Sequence, residues 1–110
     1  NQSSTPLTAA TSTIIPGARN ISVTIEEPRQ GSFVRGAIAL RAAITSDVAV
    51  TKITVFLNRE VVKEFNGDYG ANHTLSWSFA PNKLELQNLV EVQAVNQRNQ
   101  TSRVGVIVYK

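Results

Sequence analysis

The sequence contains no cysteine, no initiator methionine, one histidine, one tryptophan and only eight acidic residues in 110 positions. Without cysteine there is no disulfide, no zinc–thiolate site and no thiol nucleophile, although domains on prokaryotic surfaces fold without disulfides. No stretch reaches the ~18 consecutive apolar residues that a membrane-spanning helix needs. A basic segment followed by an apolar one is also missing, so no leader peptide is visible. A mature chain beginning at Asn1 is then expected to have lost one upstream, and hence to be exported.

The acids are Glu26, Glu27, Asp47, Glu60, Glu64, Asp68, Glu85 and Glu91, and no three follow the spacing of a calcium loop. Asn66-Gly67-Asp68 therefore reads as a turn. No Cys, Asp or Glu stands at ligand spacing from His73, which reads as a surface or strand-edge histidine. Nothing assembles a nucleophile, a base and an orienting group. The expectation is a protein that is not an enzyme and holds no metal or cofactor.

The net charge is +3, but the bases are dispersed. Arg29 and Arg35 lie near one turn, Arg98 and Arg103 near another, and Lys52, Lys63, Lys83 and Lys110 stand singly. No basic run interleaves with aromatics, as a nucleic-acid surface requires. These bases belong to solvated strand faces and turns.

What the chain does have is Val, Ile and Thr in short runs, separated by Gly, Pro, Asn and Asp. Beyond residue 20 the apolar period is 2, over ISVTIEEP, AIALRAAIT, KITVFLN, REVVKEF, HTLSWSFAP, LVEVQAVN and RVGVIVYK. These seven runs predict seven strands with one face buried and one wet, stacked as two antiparallel sheets. Leu40, Val55 and Val92 fall on the buried parity, as do Leu75, Trp77 and Phe79. Val104, Val106 and Val108 do so too, whereas Lys52, Thr54 and Asn58 fall on the wet one. Trp77 is thus expected to plug the space between sheets rather than to offer a sugar-stacking platform. Tyr69, Tyr109 and Phe56 stand apart from one another.

Residues Ile21 to Tyr109 resemble the bacterial immunoglobulin-like domains of cell-surface and cell-wall proteins. The resemblance is carried by Pro28, Gly31, Val34 and Gly36, by the strand Ile53-Thr54-Val55-Phe56-Leu57-Asn58, by Trp77, by Val92-Gln93-Ala94-Val95-Asn96, and by Val104 to Val108. The chain departs from that pattern at Asn58-Arg59, where the family often has Asp-Gly, and at Pro81-Asn82-Lys83-Leu84, where it usually has Gly-x-His. The resemblance implies an all-β immunoglobulin-like sandwich of about seven strands, located at the cell surface or outside the cell, acting as a spacer, an adhesive module or an assembly unit.

The acceptor pattern N-x-[ST] occurs at Asn1, Asn20, Asn72 and Asn99, where chance over nine asparagines gives one or two. In an organism with the machinery, covalent glycans are expected at these positions.

Residues 1–19 form a Thr/Ser-rich arm ahead of the domain at residues 20–110. Within it, LTAATSTII is uncharged and free of Gly and Pro, unlike ordinary disordered leaders. By parity Leu7, Ala9, Thr11, Thr13 and Ile15 share one face, and Pro16-Gly17 breaks the segment from the domain. Nine extended residues span about 30 Å, one sandwich edge. The expectation is an additional strand, donated to a neighbouring copy in a homo-oligomer or filament. The alternatives are a strand on its own domain, a linker in a longer surface protein, and an accessory domain of a cell-wall enzyme.

Overall fold

The computed structural model describes residues 21–110, which form seven strands: β1 (Ile21–Glu27), β2 (Ile38–Ser46), β3 (Val50–Leu57), β4 (Glu60–Asn66), β5 (Asn72–Phe79), β6 (Gln87–Asn96) and β7 (Thr101–Tyr109). The expected added strand at Leu7–Ile15 lies outside the described residues. One sheet has the order β1-β2-β5 and the other β4-β3-β6-β7, with every strand-to-strand pairing antiparallel. The all-β, two-sheet sandwich expected from the period of 2 is the observed fold.

The core is the inner parity of the central strands. Ile38, Ile44, Val50, Ile53, Val55, Val90, Val92 and Val108 are fully buried, and Leu40 and Leu75 join them. Each such side chain contributes roughly 1.5–3 kcal/mol on leaving water. Val104 and Val106, expected inside, are half-buried because β7 is an edge strand, with no further strand on its far side among the described residues. Thr54, expected in water, is 5% exposed on the outer face of its sheet. It stands on a central strand, with Glu64 opposite on one side and Gln93 on the other.

Two asparagines are buried with the core. On β6 the inner parity runs Asn88, Val90, Val92, Ala94, Asn96, all buried. Asn88 Oδ1 accepts from Glu85 N–H and from the Asn58 amide, while its own amide donates to Glu85 O. At the other end, Asn96 Oδ1 accepts from Arg98 N–H and Gln100 N–H, closing the β6–β7 turn. A buried amide is tolerated only when paired in this way.

β3 and β4 are joined by a two-residue turn, Asn58-Arg59, with φ of 52° and 74°. Two successive positive values are those of a type I′ turn, whose twist matches that of the flanking strands. Asn58 suits such a position, and the turn is anchored by Asn58 Oδ1 accepting from Leu89 N–H at 2.8 Å. The stretch Asn66-Gly67-Asp68 is a turn as expected, with Gly70 N–H donating to Asp68 Oδ1.

After β1, a cis peptide joins Glu27 to Pro28. The chain then lies along β7: Gly31 N–H donates to Ile107 O, Val34 N–H to Tyr109 O, and Tyr109 N–H to Ser32 O. The loop thereby covers the C-terminal half of the β7 edge.

Candidate functional site

The sandwich is closed along one side and open along the other. On the closed side, β1 packs across onto β6 and β7. On the open side the facing strands are β4 and β5, each the edge of its sheet. β4 carries an extra residue: Lys63 pairs with Val55 and Val61 with Phe56, so Val62 has no partner on β3. Such a bulge twists an edge strand away from its neighbours.

A groove of about 480 Å³ opens between the two edges. Leu57, Val62, Trp77, Phe79 and Pro81 form its apolar lining, and Glu60, Asn82 and Lys83 its polar rim. Trp77 stacks on Phe79 with centroids 4.7 Å apart and planes 10° from parallel. Phe65 of β4 meets Trp77 edge to face at 5.7 Å, and the Lys63 ammonium lies 5.7 Å from the Phe65 ring.

Trp77 was expected to plug the core, and here the arrangement differs. Leu75 is buried, but Trp77 and Phe79 are half-buried and pack against the margin of the core. The inward parity was right, but among the described residues no strand covers that end of β5. Leu40, Val55 and Val92 are buried at the centre.

One charge on β4, that of Glu64, is held by neighbours in its own sheet. Glu64 accepts from the Asn66 amide at 3.2 Å and pairs with the Lys52 ammonium at 3.2 Å. These contacts hold its carboxyl below the usual range, the Asn66 bond foremost. On the outer face of the four-stranded sheet, Arg103 donates twice to Glu91, at 2.9 and 3.0 Å. Its guanidinium lies 4.1 Å over the Phe56 ring. The hydrogen bonds from Arg103 lower the Glu91 carboxyl, partial burial opposing them.

The remaining candidates are dispersed. His73 is half-buried on β5 with the Tyr69 ring 4.8 Å away, and Tyr109 meets Phe33 at 5.9 Å. Asn72 is exposed at the start of β5, and Asn99 is exposed in the β6–β7 turn with φ of 61°. Asn1, Asn20 and the five arm residues Leu7, Ala9, Thr11, Thr13 and Ile15 lie outside the described residues. Among the described residues no three His, Cys, Asp or Glu side chains cluster as metal ligands. The groove brings together one carboxylate, one ammonium and a wall of apolar and aromatic surface. Such a surface binds by apolar contact, and the strand beside it can bind by backbone pairing. The groove could not be read from the sequence, because the period of 2 shows which face turns inward but not which strand stands at an edge.

A family model described as "Bacterial Ig domain" matches residues 22–104. Among solved structures, the fibronectin(III)-like modules of Clostridium thermocellum CbhA align with a TM-score of 0.55 at 15% identity, covering 79% of this chain and 93% of that one. The CARDB domain of a Pyrococcus furiosus protein aligns with a TM-score of 0.55 at 16% identity, covering 82% of this chain and 94% of the other. At such identities the likeness is one of fold. No curated protein matches the sequence.

Proposed function

From the chain's membership of the bacterial Ig domain family, we propose that it is a non-enzymatic structural module of the cell exterior, whose copies join head to tail by donating residues Leu7–Ile15 as a strand. The observation that carries this reading is a sandwich with strand edges left unpaired among the described residues, beside a nine-residue segment with the chemistry of a strand. An extended segment that pairs with such an edge gains a ladder of backbone hydrogen bonds and pockets for alternate side chains. A contact between two different surfaces of one chain does not close on itself, so it propagates as a fibre.

The non-enzymatic part rests on the family, whose domains are typically non-catalytic. Surface location rests on the family, whose domains are common on cell-surface proteins. No helix among the described residues is long and apolar enough to cross a membrane. The exposure of Asn72 and Asn99 supports their reading as glycan acceptors.

Deleting residues 1–16 tests the assembly. The full chain is expected to form multimers on gel filtration, and the truncated chain to be a folded monomer. A full chain that stays monomeric at high concentration overturns strand donation. What then stands is the second reading, a spacer or adhesion module of a longer surface protein. That reading is supported by similarity to solved structures that are themselves a module and a domain of larger proteins.

A further inference from the structure

Strand donation leaves open which edge receives the strand. Among the described residues the two sheets end in four edge strands, and soluble β-proteins blunt such edges with charges, bulges, proline or a covering segment. β1 loses its register between Ile25 and Glu27 and ends in Glu26 and Glu27, both paired with Arg41. β4 carries Glu60, Lys63 and Glu64 as well as the bulge at Val62. β7 is covered along its C-terminal half by residues 31–34, and its free half presents Arg103. Among the described residues β5 has none of these protections. Its eight residues, Asn72-His73-Thr74-Leu75-Ser76-Trp77-Ser78-Phe79, include no Asp, Glu, Lys, Arg or Pro. Eight pairs with β2 run from Ile38↔Phe79 to Thr45↔Asn72 without a register shift.

Its backbone is available as well. Ser46 N–H donates to Ala71 O at the end of the β2–β5 ladder. By the alternation of an antiparallel pair, His73, Leu75, Trp77 and Phe79 then bond toward β2, and Asn72, Thr74, Ser76 and Ser78 point their N–H and C=O groups away. Among the described residues no backbone group from another strand or loop bonds to these four.

Resting on the strand-donation reading, we propose that the free edge of β5 is the acceptor, and that its occupant is Leu7–Ile15 of a second copy. The match is one of length, nine residues against eight, and of charge, since both strands have none. The groove beside Trp77 and Phe79 receives one of the two large ends of the donated strand, Leu7 or Ile15. For the segment of the same chain to take this position, the link at residues 16–20 would have to cross the end of the three-stranded sheet. β1 stands at the opposite edge of the three-stranded sheet. A strand outside β5 is three spacings away, about 14 Å. The link from Ile15 to Ile21 runs over six Cα steps and spans at most about 21 Å fully extended. Within that reach the chain must also pass the Ser46–Ala71 link and reverse direction.

Because the sequence lacks cysteine, mixtures of two single-cysteine proteins report the contact directly. Ala10→Cys or Ser12→Cys, on the arm face that meets Ser76 when Leu7 and Ile15 turn inward, is mixed under mild oxidation with Ser76→Cys, and separately with Thr24→Cys on β1, Lys63→Cys on β4 or Arg103→Cys on β7. The expected result is a mixed disulfide dimer with the β5 variant and its loss with the other three. A second measurement uses Ser76→Pro, which removes an outward N–H without touching the β2 ladder, and Ser76→Lys, which blunts the edge by charge. Either variant that keeps the wild-type circular dichroism and melting curve is expected to lose the multimers. Capture by another edge, or multimers that survive in a folded Ser76 variant, overturns β5 as acceptor while leaving strand donation in place. Absence of any mixed dimer, with a monomeric full chain, overturns both.

Discussion

Asn96 and Ser46, fifty positions apart in sequence, are joined by a hydrogen bond of 3.0 Å from the Asn96 side-chain amide to the Ser46 hydroxyl, with Asn96 only 1% exposed. The same amide donates to Gln100 Oε1 at 2.9 Å. One side chain therefore ties the end of β2 to the β6–β7 turn, linking the two sheets.

Replacing Asn96 by Ala leaves the Arg98 and Gln100 N–H groups without their acceptor. Arg98 is exposed and Gln100 half-buried, so against roughly 1–3 kcal/mol for a fully buried group left unpaired a loss of about 2 kcal/mol in unfolding free energy is expected. Ser46→Ala is expected to cost less, since Asn96 keeps its other partners. Urea unfolding of the two variants measures the difference.

Arg59 holds a φ of 74° in the β3–β4 turn, a region that L-residues enter at a cost. Arg59→Gly is expected to raise stability by about 1 kcal/mol, the strain of a left-handed non-glycine residue. It also removes a cation whose field lowers the Glu91 carboxyl. Thermal melting at neutral pH checks the sign of the net effect.

The Glu91 carboxyl is lowered in the folded state, chiefly by the hydrogen bonds from Arg103. In the unfolded chain it returns to the usual carboxylate range, so on acidification the unfolded state takes up the proton first. The stabilisation is therefore complete above that range and is lost as pH falls through the lower, folded value. Glu91→Gln is expected to flatten this part of the stability profile. A pH series of melting temperatures for the two proteins shows it.

The period of 2 was enough to read the seven strands and most of the core, because central strands of a sandwich bury one parity and wet the other. Legibility ended where burial depends on neighbours rather than on parity. Trp77 and Val106 have the inward parity but stand on edge strands, so they are half-buried. Thr54 has the outward parity yet is enclosed by the strands on either side. Asn88 and Asn96 look like turn residues in the sequence. Their parity with Val90, Val92 and Ala94 is the one signal of burial, and it competes with the tendency of a polar residue at the end of a run to be wet. β5 was legible as a strand without acidic or basic residues, but not as an edge.

Trp77 contributes through partial burial and two aromatic contacts rather than as a core plug. Trp77→Ala is expected to cost about 2–3 kcal/mol, below the 3–5 kcal/mol of a fully enclosed aromatic. Loss of tryptophan fluorescence removes that probe, so circular dichroism follows the unfolding.

The outward amides of β5 test the central claim most directly. Hydrogen exchange at Thr74, Ser76 and Ser78 is compared in the full chain and in residues 17–110, each over a range of protein concentrations. The expected result is protection of these three amides in the full chain that rises with concentration and is lost on truncation. Equally fast exchange in both proteins at every concentration would contradict strand addition to β5, and protection independent of concentration would place the added strand on its own domain.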